Sequence, residues 1–161
     1  VEPISPLPLG ADVTLTLDED LRGKEGNLPM GEPWSLFYET YGDFVLDTTS
    51  CYSTPYGGCS PTGGFHLEFS NPVKWRDAIA HMRITPAVEL PAEPLWAEVD
   101  QSATIFVSVE LRPDTTYSVE VDAELRDVFG QTLSGNRHGS FKIGSFAPMA
   151  NLDFSGTVLE A

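Results

Sequence analysis

The chain has 161 residues and a formal net charge of −15, from 24 acidic and 9 basic side chains. This charge argues against a nucleic-acid partner and against an anionic membrane surface, because binding to phosphate groups needs clustered Lys and Arg. The 14 Gly and 13 Pro are spread along the sequence and favour many short strands joined by turns. No stretch approaches the roughly 18 apolar residues of a membrane span, so we expect no membrane insertion in this segment.

The first forty residues predict two strands joined by a polar turn. Residues 11–17 alternate, with Val13, Leu15 and Leu17 on one face, and residues 33–41 form a second apolar segment. A segment of this length cannot close a sandwich by itself. We therefore expect it to pack on the rest of the chain, on another chain, or on a missing upstream half.

A boundary is predicted at Gly42 and Asp43, and a new strand begins at residues 44–46. Residues 65–69 alternate as a strand, and the Asn71-Pro72 pair is expected to end it. One helix of two to three turns is predicted next, because apolar residues recur at i, i+3, i+4 and i+7; they are Trp75, Ala78, Ile79 and Met82.

The remaining elements are again short and extended. Residues 84–90 and 104–111 read as strands, and a turn at residues 112–114 predicts a hairpin with the alternating residues 117–121. Residues 140–143 form the closing strand. About seven to nine short strands and one short helix predict an all-β, immunoglobulin-like β-sandwich.

One phrase of the sequence occurs twice, at residues 7–28 and 111–133. An offset of about 100 residues is the size of an immunoglobulin-like module. We therefore interpret residues 1–42 as the C-terminal half of a preceding repeat, residues 43–148 as a complete sandwich, and residues 149–161 as a linker and the first strand of a following module. The chain is then a piece of a larger protein. The residues aligned by the offset are Leu7 and Leu111, Asp18 and Asp122, Leu21 and Leu125, Arg22 and Arg126, Gly26 and Gly130, and Phe37 and Phe141.

The two cysteines, Cys51 and Cys59, lie in the segment CYSTPYGGC. The intervening Pro and Gly residues allow this short loop to close, so a disulfide is favoured over two free thiols. A zinc site would need two further ligands, and no second CxxC or HxxxH occurs. A disulfide implies an extracytoplasmic location, in the periplasm or on the bacterial cell surface.

No motif selects a catalytic group or a cofactor. GxSxG, P-loop and GxGxxG sequences are absent, and no ligand spacing relates His66, His81 and His138, which we expect at the surface. We therefore predict a module that is not an enzyme and holds no cofactor. Calcium binding is the alternative for the acidic residues near the first turn and the boundary, but the D-x-D-x-D spacing is missing and solvated turn acids are favoured. These acids are Asp18, Glu19, Asp20, Asp43 and Asp47.

Other side chains are candidates for contacts or for turns. Tyr52 and Tyr56, inside the cysteine loop, are the best candidates for an exposed contact surface, whereas core packing is favoured for Trp75. We also expect the side chains of Arg22, Arg126 and Asp127 to fix the turns through hydrogen bonds and charge pairs.

Three segments carry a family resemblance. Residues 65–75 (FHLEFSNPVKW), residues 111–135 and residues 140–148 (SFKIGSFAP) resemble bacterial Ig-like domains of the Big_5 or SbsA-like type. The resemblance implies a sandwich fold and says little about activity. The matching positions are Phe69, Ser70, Pro72 and Val73, then Leu111, Pro113, Thr115, Tyr117, Val119 and Val121, then Asp127, Gly130 and Leu133.

The C-terminal segment FAPMANLDFSGTVLEA resembles the entry to the next domain in large bacterial alpha-2-macroglobulin-like proteins. That resemblance implies a protease-trapping parent protein, with proteases as partners of the parent and neighbouring domains as partners of this piece. Neither cysteine has the sequence of a thioester cysteine, so a structural spacer role is implied, with defined geometry at Gly42 and Pro148. The alternative is an adhesion or ligand-binding module of a cell-surface or S-layer protein.

Overall fold

The protein, seen as a computed structural model, is described over residues 3–53, 58–94 and 100–146. In these ranges it is mostly β, as the sequence predicts. The elements in chain order are β1 (Asp12–Leu17), β2 (Trp34–Glu39), β3 (Leu46–Cys51), β4 (Phe65–Lys74), α1 (Trp75–Ala80), β5 (Met82–Thr85), β6 (Gln101–Val107), β7 (Thr116–Val121) and β8 (His138–Lys142).

Six of the strands form a two-layer sandwich. One antiparallel sheet has the order β3-β4-β6 and the other has the order β5-β7-β8. This distribution of strands between the layers is the immunoglobulin-like arrangement, which confirms the predicted fold class. Inward side chains of both layers make one core, because alternate residues of each strand face the opposite sheet; they include Phe65, Leu67, Ile105, Tyr117, Val119 and Val121.

Tyr117 connects the core to the backbone at the start of β7. Its ring is fully buried, and its hydroxyl oxygen accepts a hydrogen bond of 3.0 Å from the backbone N–H of Arg112. A buried hydroxyl needs such a partner, and a tyrosine that bonds back a few residues upstream is a recurrent feature of immunoglobulin-like sandwiches.

The helix is shorter than the sequence predicts. The segment α1 has six residues, and it buries Trp75 and Ala78. Met82 lies in β5 and pairs with Val121, so its apolar side chain satisfies a strand pattern as well as a helical one. Competition from strand pairing therefore ends the helix at Ala80, before the predicted last position at Met82. The prediction of a core position for Trp75 is confirmed, with its indole N–H donating to the Phe106 carbonyl at 3.1 Å.

The predicted hairpin between residues 104–111 and 117–121 is wrong. β6 pairs with β4, whereas β7 pairs with β5 and β8, so the two segments lie in different layers. The connection crosses between the layers and buries Leu111, whose N–H donates to the Pro61 carbonyl at 2.8 Å. Because Leu111 is buried in this loop, it continues the alternating apolar pattern of β6. The sequence of the loop therefore resembles that of a strand.

Two strand ends also differ from the predictions. Asn71 and Pro72 lie inside β4, which continues to Lys74 across a register shift between Glu68 and Val73. A proline lacks the ladder N–H and is tolerated at such an irregularity. β5 stops at Thr85 rather than extending to residue 90, and it lies at the edge of its sheet.

The first two strands form a separate antiparallel hairpin, β1–β2, that repeats the hairpin β7–β8. The turn after each first strand has the same two hydrogen bonds: Leu21 N–H to the Asp18 carbonyl and Leu125 N–H to the Asp122 carbonyl, together with a bond from the residue before each leucine to the aspartate side chain. Each arginine of the turn also donates to a backbone carbonyl, Arg22 to Asn27 and Arg126 to Gly130. The repeat in the sequence is thus a repeat in the structure.

The pairing register corrects one detail of the sequence alignment. Val13 pairs with Tyr38, and Tyr117 pairs with Phe141. The first strands therefore correspond at an offset of 104 residues and the second strands at 103, because the first turn is one residue longer. The counterpart of Phe141 is Tyr38, and the aligned Phe37 lies on the opposite face of β2.

The two hairpins differ in burial. The inward-facing residues of β7–β8 and its turn are sealed in the core, whereas their apolar counterparts in β1–β2 are exposed or half-buried: Leu125 is 0% exposed and Leu21 is 47% exposed. In the described residues, all core side chains lie between Phe44 and Ile143. We call the uncovered apolar surface of the first hairpin the open face; it consists of Val13, Leu15, Leu17, Leu21, Met30, Trp34, Leu36 and Tyr38.

Candidate functional site: the junction at Gly42

Residues 40–45 connect the first hairpin to the sandwich, between the end of β2 and the start of β3. The ring of Tyr41 stacks on Phe129 of the sandwich, with ring centroids 4.0 Å apart and planes inclined by 5°. Stacked aromatic pairs at this distance stabilise by about 0.5–1.5 kcal/mol beyond their buried area. Tyr41, the second residue of the connection, is therefore already packed against the sandwich, which we call the second unit.

A cluster of amide side chains holds the carbonyl of Gly42. The side-chain amide of Asn71 donates to this oxygen at 3.0 Å, and that of Gln131 donates to it at 2.9 Å. Both amides also donate to the Asp127 carboxylate, at 2.9 and 3.2 Å. The Gly42 carbonyl, in the middle of the connection, is thus held by two side-chain donors.

The Asp127 carboxylate accepts the hydrogen bonds that hold this cluster in place. The residue is only 6% exposed, and its other oxygen, Oδ1, accepts the backbone N–H groups of Phe129 and Gln131 at 3.0 and 2.8 Å. A buried carboxylate is costly unless it is well hydrogen-bonded, and four donors meet that need without a cation. We call Asn71, Asp127 and Gln131 the junction clamp.

Further bonds hold the next residues of the connection. The Ser70 hydroxyl donates to the Asp43 carbonyl at 2.8 Å and accepts the Val45 N–H at 2.9 Å. The carbonyl of Phe44 accepts both the N–H and the hydroxyl of Ser134, at 2.9 and 3.0 Å. Every residue from Tyr41 to Val45 is therefore tied to the sandwich by a stacked ring or a hydrogen bond.

The junction unites two of the segments that carry the family resemblance. Ser70 and Asn71 belong to the first segment, residues 65–75, and Asp127 to the second, residues 111–135. The Val128 N–H joins the two segments by donating to the Pro72 carbonyl at 2.9 Å. The apolar motif residues Phe69, Val73 and Leu133 lie in the core. These segments therefore supply both core residues and the polar contacts at the junction. The polar contacts are not apparent from the sequence.

The turn residues behave as predicted in their hydrogen bonds and not in their charge pairs. Arg22 and Arg126 bond to backbone carbonyls and Asp127 to N–H groups. Within the described ranges neither arginine forms an ion pair; the pair found there joins His66 and Glu68 at 3.5 Å. Backbone carbonyls in tight turns are nearer to each guanidinium than the scattered surface acids.

The opposite end of β3 carries the cysteines. The predicted disulfide between Cys51 and Cys59 is confirmed, with Cα atoms 5.6 Å apart, and both residues are buried. Tyr52 is 47% exposed and lies beside His66 and Phe106, with ring centroids 6.1 and 6.2 Å away. Tyr56, the second predicted contact residue, lies outside the described residues, as do Pro148 and residues 149–161.

The acidic residues considered for calcium do not form a site in the part of the chain that is described. There, no group of three or more His, Cys, Asp or Glu side chains is close enough to hold a metal ion. Asp18 instead accepts the Asp20 N–H at 2.9 Å, as a turn residue does. A cleft of about 720 Å³ adjoins the junction, and its described lining includes one carboxylate, Glu39.

No protein-family model, curated protein or solved structure matches the chain. In the described residues, no helix combines the length and the apolar character required to cross a membrane. The two family resemblances therefore remain hypotheses.

Proposed function

We propose that this chain is a non-catalytic structural module, which spaces and orients neighbouring immunoglobulin-like units in a large extracytoplasmic bacterial protein. The observation that carries this proposal is the clamped carbonyl of Gly42. A flexible tether would leave its polar groups in water, whereas here five consecutive residues contact the second unit. Short, well-bonded connections restrict the relative motion of units, which is the property a spacer requires.

The location and the parent protein are part of the same proposal. The disulfide favours an oxidising compartment, so we place the module in the periplasm or on the cell surface. By its resemblance, the parent is an alpha-2-macroglobulin-like protease inhibitor with Big_5-type Ig-like domains. A downstream CxEQ thioester sequence in the complete reading frame is the expected result, and a cell-wall sorting signal or S-layer repeats there would contradict this parentage.

The spacer function is tested by measuring whether the two units keep one orientation. Spin labels at the exposed Thr16 and Ser140 report the distance between the hairpins by pulsed electron resonance. We expect a narrow distance distribution in the unsubstituted chain and a broader one in the Asp127→Ala variant, because Asn71 and Gln131 then lose their shared acceptor. Asp47→Ala, which removes an exposed carboxylate, is the matched control and leaves the distribution unchanged.

A broad distribution in the unsubstituted chain would overturn the spacer function. A narrow distribution that persists in Asp127→Ala would show that the orientation is set by the stacking of Tyr41 on Phe129 and not by the clamp.

A ligand-binding module is the second candidate, and the exposed Tyr52 beside His66 and Phe106 favours it. Neighbouring aromatic rings are suited to stacking on a sugar or a partner side chain. Titration with chitotriose, followed by NMR, tests the sugar arm of this function. Shifts confined to the Tyr52 region that are lost in Tyr52→Ser would support binding, and an unchanged spectrum would remove the sugar arm.

A further inference from the structure

We propose that the open face of the β1–β2 hairpin docks a half-sandwich built like residues 43–110 and contributed by the same polypeptide, upstream of the hairpin. This inference goes beyond the spacer function and does not depend on the junction clamp. The second unit contains the equivalent hairpin with its cover in place, so the present cover indicates the chemistry of the missing one.

The open face has the composition of a core and not of a surface. Six of its eight side chains correspond to residues that are at most 8% exposed in the second unit: Tyr117, Val119, Val121, Leu125, Leu133 and Phe141. The opposite face of the hairpin is mostly polar, with Asp12, Thr14 and Thr16 on β1. Apolar groups retained at all six positions favour a partner that removes them from water.

The free edge of β1 indicates a strand partner as well. In the second unit, β5 pairs with the outer edge of β7 through residues 118–121. The equivalent residues 14–17 of β1 pair only with β2 in the described chain. Two additions would satisfy such a hairpin. One strand would pair with the unpaired edge of β1, and a second sheet would cover the apolar face.

The order of the chain indicates where the cover comes from. In the second unit, β3 to β6 precede β7, and Leu111 in the last connection is buried at 4% exposure. Leu7 occupies the equivalent place before β1 and is 47% exposed. The segment before β1 thus has the form of a connection arriving from a sheet, which favours a cover contributed from upstream.

One position distinguishes this cover from a second copy of the chain. Gly139 packs so closely on β3 that an added Cβ atom would lie 2.1 Å from the Thr49 hydroxyl. Leu36 stands at the equivalent place in the first hairpin, because Leu15 pairs with Leu36 and Val119 with Gly139. The β3-β4-β6 sheet cannot accept this leucine, so the cover must carry a smaller residue where Thr49 stands.

Hydrogen–deuterium exchange tests the docking directly. The probe is the natural polypeptide extended upstream by about 70 residues, which is the length of the cover in a repeat of this size, compared with the 161-residue chain. Peptides spanning β1 should exchange about 100-fold more slowly in the extended protein, because its amides become paired and buried. Peptides spanning β7 are the internal control and should not change.

Matched substitutions separate docking on the open face from a general change in stability. In the extended protein, Leu15→Glu should abolish the gain in β1 protection, whereas Thr16→Glu on the other face should retain it. Unchanged exchange at β1, or upstream codons that encode no strand pattern, would overturn the proposal. Protection at β1 that depends on the concentration of the 161-residue chain would also overturn it, in favour of a second copy. None of these outcomes alters the distance measurement that tests the spacer function.

Discussion

The hairpins β1–β2 and β7–β8 share their antiparallel pairing and the first hydrogen bonds of their turns, yet only the second hairpin is covered. Leu125 and Leu133 are sealed in the core, while the equivalent Leu21 and Met30 are 47% and 44% exposed. The backbone of the hairpin is therefore specified locally, by its turns and cross-strand pairs. Its burial is decided by what the rest of the chain places against it.

The largest contrast is expected at the first core position of each hairpin. Tyr117→Ala should lower the free energy of unfolding of the sandwich by about 3–5 kcal/mol, since it removes a fully buried ring. Val13→Ala, at the equivalent half-buried position, should cost less than about 1 kcal/mol. Urea unfolding followed by tryptophan fluorescence measures both. Equal losses at the two sites would show that the open face is covered within this chain.

The disulfide should stabilise one unit and leave the other unaffected. Replacing both Cys51 and Cys59 by Ala is expected to cost about 2.5 kcal/mol, from the lost restriction of a short loop in the unfolded state. Thermal unfolding of the sandwich reports this loss. Exchange at β1 serves as the control, and an equal acceleration there would mean that the two units unfold together.

The position of Gly139 and the equivalent position of Leu36 provide a contrast in the size of the stability loss. Gly139→Ala should destabilise the sandwich by about 2 kcal/mol, because the new methyl group overlaps the Thr49 side chain. Leu36→Gly, the converse change at the equivalent place in β2, should cost less than about 1 kcal/mol in this chain, where Leu36 is only half-buried. The Thr49→Gly change is expected to restore the stability of Gly139→Ala. Failure of this rescue would place the strain elsewhere.

The smallest effects are expected at the turn arginines. Arg22→Ala and Arg126→Ala each remove a hydrogen bond from an exposed side chain to a turn carbonyl, and each should cost about 0.5–1 kcal/mol or less. Here the two hairpins should agree, because the turn bond does not depend on the cover. Amide exchange in the two turns measures the change, and a much larger loss at Arg126 would contradict a purely local role.

Secondary structure could be predicted from the sequence wherever the apolar residues fit a single pattern. Alternation at Val13, Leu15 and Leu17 predicted β1, and the repeated phrase predicted the matching hairpin. Met82 and Leu111 misled the predictions because each apolar residue fits two patterns, a helix or a strand in one case and a strand or a buried loop in the other.

The junction clamp was beyond the reach of sequence patterns. Asn71 and Gln131 are ordinary polar residues far apart in the chain, and only the folded sandwich brings both to the carbonyl of Gly42. The sequence repeat does not indicate the clamp either, because the first hairpin has Gly23 and Leu28 at the positions of Asp127 and Gln131. The sequence indicated a boundary at Gly42, but not how that boundary is held.

The path of the backbone through the sandwich also determines how the module responds to a mechanical load. The connection from β2 enters beside a parallel bridge between Val45 and Ser134, and the chain leaves after Ile143, which forms a parallel bridge with Cys59 at the other end. A pull applied between Gly42 and Ile143 therefore loads two separate parallel bridges, one at each end of the sandwich. Tension on the first hairpin would reach the hydrogen bonds that Asn71 and Gln131 make to the Gly42 carbonyl before it reaches the core, so these bonds are the first that the proposed spacer would load.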